Sequence, residues 1–296
     1  MSERLVMLKL LGVSLLWGCN YVASAYLLRD FSPIFLSFSR LLITSFFLLS
    51  IALIKGGLKR PTGQEWVLLC FAGIFGTLLN QLFYFKGLMH STAGNAALII
   101  ALSPIATTFL ARIFLKENIT WFKIIGATLA LSGVGFIVLY GGKTFGVSMG
   151  DVYILLAMLT LSISLLFIRK LTGSMASYDI TIYAMVIGTL FMTPAAVIEF
   201  AQGQVHLSDQ LLPWIILISA AVFGQGLAGF WWNQGISVVG ASASSMFMNI
   251  PPFVAILVAF LVLGDPIQIV QIAGGVLILV GVAISNKKLY SKGLMH

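Results

Sequence analysis

Apolar runs of about twenty residues, almost free of charge, recur from one end of this 296-residue chain to the other. A helix needs roughly 20 mostly apolar residues to cross a bilayer. Ten runs meet that length, with cores near 6–28, 33–54, 65–86, 92–115, 120–140, 150–169, 178–199, 212–235, 240–262 and 267–285. Only 9% of the residues are charged, against roughly 25% in a soluble domain. Lipid must therefore be the solvent for most of the chain, and the expected fold is an all-α membrane protein of ten transmembrane helices. The connections carry ordinary turn residues, such as Ser32-Pro33, Gly56-Gly57 and Asp265-Pro266. None is long enough for a soluble domain, so function must lie within the bundle.

The N-terminal run is read as a retained helix. Arg4 and Lys9 precede it and Ala23-Ser24-Ala25 resembles a signal-peptidase site, but the run continues to Leu28 and carries Trp17, Asn20 and Tyr21. The net charge of +8 would suit nucleic acid. The basic residues sit instead in short connections, where cytoplasmic loops collect them, so no nucleic-acid partner is expected. With the N-terminus in the cytoplasm, the inner segments hold Arg4, Lys9, Lys55, Lys59, Arg60, Lys116, Lys123, Arg169, Lys170, Lys287, Lys288 and Lys292. The outer connections hold only Arg29, Lys86 and Lys143. A multi-pass protein of the inner (plasma) membrane with both termini cytoplasmic follows.

An internal repeat constrains the arrangement further. A shift of 148 residues lays the second half over the first without gaps from Gly87 to Val134: Gly87 meets Gly235, Pro104 meets Pro252, Glu117 meets Asp265, Gly126 meets Gly274 and Gly133 meets Gly281. Apolar residues align cheaply; glycines, a proline and an acidic loop residue in one register do not. Residues 1–142 and 143–288 then form two five-helix halves, with 289–296 a disordered tail. Five is odd, so the second half starts on the opposite side of the membrane. Inverted-topology repeats suit transporters, because two opposed halves can open a central site to alternate sides.

The chain resembles the drug/metabolite transporter superfamily, and within it the EamA-like ten-helix transporters. The residues that carry the resemblance are Leu16-Trp17-Gly18-Cys19-Asn20-Tyr21, Ser32-Pro33, Arg40, Ala93-Gly94-Asn95-Ala96-Ala97, Ser103-Pro104 and Leu115-Lys116-Glu117, then the glycine-rich stretch from Gly126 to Gly135. The second half repeats the pattern in Gly240-Ala241-Ser242-Ala243, Pro251-Pro252, Leu263-Gly264-Asp265 and Gly274-Gly275. It departs at helix 6, where Ser162 stands near the position of Trp17. The resemblance implies export or exchange of small metabolites.

A central site should be lined by polar and aromatic residues at helical spacing. Trp17, Asn20, Tyr21 and Ser24 share one face of helix 1. Helix 3 offers Thr77, Asn80, Gln81 and Tyr84; under the 148-residue shift Thr77 maps to Gln225 and Tyr84 to Trp232. Asn80 and Gln81 are adjacent, so one of them is expected to face the cavity. Asn95, Ser162, Ser245 and Asn249 extend the candidate set. Amides inside a bilayer are costly unless paired and usually face the bundle interior, so the substrate-binding candidates are Trp17, Asn20, Tyr21, Gln81, Tyr84, Asn95, Ser162, Gln225, Trp232 and Asn249. For Tyr84, Trp231 and Trp232 an interfacial aromatic belt is an equal reading, and serines and threonines often bond only their own helix. Arg40 is open to binding a substrate carboxylate, but snorkelling or structural pairing is the preferred reading.

Pro104, Pro251 and Pro252 interrupt helices 4 and 9 at matching positions and are candidate hinges; a static kink is the alternative. The glycines of helices 5 and 10 point to close packing, as an internal scaffold or a homodimer face. Cys19 and Cys70 lie in apolar runs and read as buried thiols rather than a disulfide. His90, His206 and His296 are scattered, which gives no metal site, and neither an HExxH, a GxSxG nor a phosphate-binding loop occurs. No enzyme activity and no cofactor are expected. The expected partners are a small-molecule substrate and the lipid bilayer. The absence of an acid at mid-membrane favours a facilitator or exchanger. Neutral or aromatic amino acids are the expected cargo. The alternatives are a lipid or amphiphile flippase, and an uptake carrier for a choline-like cation held by cation–π attraction.

Overall fold

Where no water reaches, the backbone must satisfy its own hydrogen bonds, and helices do this within one segment. The computed structural model describes residues 3–54, 56–115, 121–140, 148–232, 234–235, 238, 247–248 and 250–293. Those residues are helical or in turns, with no strand among them. We number the helical runs α1 (Glu3–Leu27), α2 (Pro33–Ile54), α3 (Gly63–Leu88), α4 (Ala93–Ile100 and Ser103–Leu115), α5 (Trp121–Tyr140), α6 (Met149–Leu171), α7 (Ser177–Ala201), α8 (Leu211–Trp232), α9 (Pro251–Leu263) and α10 (Ile269–Gly293). Seven of them are long and apolar enough to cross a membrane: α1 to α4 and α6 to α8. The others contain shorter apolar helices, at Ile124–Ile137, Pro251–Leu263 and Ile269–Ile284. α10 thus continues past Leu289, where the sequence suggested a tail.

Local chemistry sets the helix ends. Pro33 opens α2, where its missing N–H removes no intrahelical bond. Thr62 and Glu65 form a reciprocal capping box on α3. Thr92 and Ser148 cap α4 and α6 through their hydroxyls. Gly264, at φ +72°, ends α9 in the left-handed conformation that glycine adopts without penalty.

The outer surface is apolar, with Phe46, Leu53, Leu190 and Leu261 all exposed. Side chains of this kind around the whole perimeter are a liability in water and at home in lipid. Cys19 also lies exposed on the outside of α1 rather than buried as expected, because it points away from the face that carries Trp17 and Tyr21; both cysteines are free thiols.

The interior packs in recurring pairs. α5 lies along α10 and α2 along α7; α1 meets α9 and α8, while α6 meets α4 and α3; α3 meets α7, while α8 meets α2. The α5–α10 contact is the tightest. A Cβ on Gly133 would lie 2.5 Å from the Gly274 carbonyl oxygen, and one on Gly281 would lie 2.4 Å from the Gly126 carbonyl oxygen. The higher-numbered contact on one helix pairs with the lower-numbered on the other, so the two run antiparallel. These glycines therefore serve close packing inside the chain. Loops join in the same pairwise manner. Lys59 Nζ donates to the Ser174 carbonyl at 2.6 Å, Ser148 to the His90 carbonyl at 3.0 Å, and the Ser32 amide to the His206 carbonyl at 3.2 Å.

Two helices are not α-helical throughout. α3 widens to a π-helix at Ile74–Leu79 and α8 does so at Ala220–Leu227. The 148-residue shift carries Gly76 onto Gly224, one in each segment. Both sit where another helix presses close: a Cβ would meet Ser164 of α6 at Gly76, and Asn20 of α1 at Gly224.

Candidate functional site: a polar and aromatic cavity

The π-segments border a cavity of about 440 Å³. Its wall takes residues from α1, α2, α3, α4, α6, α7 and α8, together with Met248. Seven of the ten residues read from the sequence as substrate-binding line it: Trp17, Asn20, Tyr21, Gln81, Tyr84, Gln225 and Trp232. Asn80 lines it as well, beside Gln81, and anchors α3 by donating to the Ala157 carbonyl at 2.8 Å. Adjacent helical residues can both reach the cavity here because α3 widens just before them.

The aromatic residues form two ring pairs on successive turns of α1. Trp17 lies 5.2 Å from Trp232, centroid to centroid, and Tyr21 lies 6.0 Å from Tyr84 in an edge-on arrangement. Tyr84 and Trp232 thus face the bundle interior rather than an interfacial belt. Ring pairs of this geometry add roughly 0.5–1.5 kcal/mol beyond burial, which fixes their faces. The amides are oriented too. Thr44 donates to Gln225 Oε1 at 3.3 Å and to the Ala221 carbonyl at 3.0 Å, and Arg40 donates to Asn20 Oδ1 at 2.8 Å.

Arg40 does not snorkel. It is 2% exposed, lines the cavity, and also donates to Ser24 Oγ, whose own proton goes to the Asn20 carbonyl. Depth along α2 is readable in the sequence. Direction is not, and a guanidinium held by Asn20 and Ser24 one turn apart on α1 points inward. Among the described residues, no carboxylate lines the cavity.

Two candidates lie elsewhere. Asn95 is buried at the start of α4, where its Oδ1 accepts from Gln271 Nε2 of α10 at 2.8 Å. Ser162 is fully buried and donates to the carbonyls of Met158 at 2.9 Å and Ser103 at 3.2 Å, tying α6 to α4. Neither lines the cavity. Asn249 lies outside the described residues, as do Ser245 and the Lys116-Glu117 loop. Pro104, Pro251 and Pro252 line a small side pocket of about 50 Å³ that shares Trp17 and Tyr21 with the main cavity. Each proline stands in the first turn of a helical segment, where no backbone bond is forfeited. α4 breaks at Ala101–Leu102, just before Pro104.

The model of the EamA-like transporter family matches residues 4–139 and again residues 148–287. This chain belongs to that family. The uncharacterized transporter YyaM of Bacillus subtilis is 32% identical over 97% of this chain and 95% of its own length. A probable terminal-alkyne amino-acid exporter of Streptantibioticus cattleyicolor is 28% identical over 92% of this chain and 90% of its own length. A crystal structure of a protein 16% identical in sequence covers 100% of both chains at a TM-score of 0.68, a likeness of fold. The EamA membership makes the chain a multi-span membrane transporter, and the cavity is its candidate binding site.

Proposed function

We propose that the protein is an alternating-access carrier that exports or exchanges neutral or aromatic amino acids, or closely related compounds. The observation that carries this reading is the cavity. Its volume falls within the roughly 300–1,000 Å³ of small-molecule sites, and its wall combines two ring pairs with oriented amides. Rings would bracket an apolar side chain while amides and Arg40 take the polar end. The amino-acid exporter 28% identical to this chain supports the cargo class. A wall with a cation and, among the described residues, no carboxylate disfavours a choline-like cargo.

The carrier comprises ten spanning helices in two inverted five-helix halves. Exchanging α1–α5 with α6–α10 converts the Gly133–Gly274 contact into Gly281–Gly126, and the α3–α6 contact into α8–α1. The antiparallel run of α5 against α10 supports the inversion. The joined loops fit the sidedness that ten spans require, each pair sharing one side, and the Lys and Arg bias argues for both termini in the cytoplasm. The break before Pro104 and the turn before Pro251 would be the hinges.

Reconstituted vesicles test the reading. Labelled phenylalanine or leucine should equilibrate faster than in protein-free vesicles and exchange against unlabelled amino acid, and Pro104→Ala should slow exchange in a folded protein. Movement of labelled lipid without amino-acid flux would replace the reading with a flippase, and unchanged exchange in Pro104→Ala would remove that hinge.

A further inference from the structure

Among the described residues Arg40 is the one cation in the cavity wall, and its set of partners is incomplete. Arg40 stands two turns inside α2, buried, with its guanidinium over the Phe85 ring at 5.4 Å. Its Nη atoms donate to Ser24 and Asn20, both neutral, and its Nε has no hydrogen-bond partner. Arginine does not shed its proton. A buried charge without a counter-ion is costly, and in membrane proteins such residues mark the path of a substrate or ion. α1 holds two corners of the guanidinium and leaves the Nε edge unclaimed.

We propose that Arg40 anchors the carboxylate of the cargo, so that the cavity selects anionic and zwitterionic molecules over plain amines. This deepens the amino-acid reading and rests on the carrier assignment. A guanidinium offers a planar fork that a carboxylate accepts with two parallel bonds. The ammonium of a zwitterion would meet the amide oxygens of Gln81 and Gln225, while the rings of Trp17, Tyr21 and Tyr84 flank the apolar side chain. A plain amine would meet the same rings and amides but also the uncompensated charge of Arg40.

Binding to the purified full-length protein tests this with four matched ligands: phenylalanine, hydrocinnamate, phenylalaninamide and phenethylamine. The wild type should bind the two carboxylates at least tenfold more tightly than the amide and the amine. Arg40→Gln should abolish that preference by weakening the carboxylates about 30-fold or more, while phenethylamine binds as before or better. Arg40→Lys, which keeps the charge without the fork, should fall between. Equal affinity of the wild type for phenylalanine and its amide would overturn the proposal while leaving amino acids as cargo. Equal loss of all four ligands in both variants would reduce Arg40 to a structural post. Arg40-dependent binding of hydrocinnamate with no binding of any amino acid would uphold the anchor and sink the amino-acid reading.

Discussion

At the scale of single residues, the helical spacing of Trp17, Asn20 and Tyr21 is enough to bring them to one cavity, because the three share one face of a continuous helix. Asn95 and Ser162 carry the same chemistry but are saturated by Gln271 and by the carbonyls of Met158 and Ser103, partners far away in sequence. No pattern within one helix could reveal that. For Arg40 the sequence leaves snorkelling and structural pairing side by side, because its partners lie on α1; the structure shows the pairing and not the snorkelling. An arginine at the centre of a spanning helix costs about 3 kcal/mol on insertion scales, which two charged hydrogen bonds of roughly 1.5–3 kcal/mol each can offset. Asn20 is therefore the residue on which stability and binding part company. Asn20→Ala should lower the melting temperature by leaving an Arg40 donor unpaired. Asn20→Asp should keep or raise it by supplying a counter-ion, yet weaken carboxylate ligands at least tenfold because the charge of Arg40 is then compensated from within the protein. Undiminished binding of phenylalanine by a stable Asn20→Asp protein would contradict the role given to Arg40.

At the scale of elements, the glycines of α5 and α10 were legible as a packing face, and the recurrence at 148 residues located them. Their reciprocal contacts need the folded chain. The contrast between Gly133 and Gly135 tests the packing: a Cβ on Gly133 meets a backbone carbonyl that cannot turn aside, whereas one on Gly135 meets nothing within 4 Å. Gly133→Ala should destabilise by about 1–3 kcal/mol, read as a lower melting temperature in detergent. Gly135→Ala should be neutral or slightly stabilising, since alanine is the better helix former by up to about 1 kcal/mol. Equal melting temperatures for the two variants would mean that α5 and α10 are not so close. The π-segments were not legible. Their trace in the sequence is the matched pair Gly76 and Gly224, each placed where another helix comes close enough to leave no room for a Cβ. The sequence reads Pro104, Pro251 and Pro252 as interruptions within helices 4 and 9, candidate hinges with a static kink as the alternative. They stand instead at the first turns of new segments, so the breaks belong to the residues before them.

At the scale of the molecule, the charge bias, the repeat and the run lengths together led to a polytopic bundle, because a bilayer leaves an apolar chain few alternatives. The family membership makes that bundle a transporter. In the proposed mechanism the cavity opens to alternate sides of the membrane. Met185 lines the cavity from α7 and makes none of the hydrogen bonds on which binding is argued. In a protein with Cys19 and Cys70 replaced by serine, Met185→Cys should react with a membrane-impermeant thiol reagent applied to either face of reconstituted vesicles, and saturating phenylalanine should change the ratio of the two rates. Labelling from one face alone, with and without cargo, would contradict alternating access.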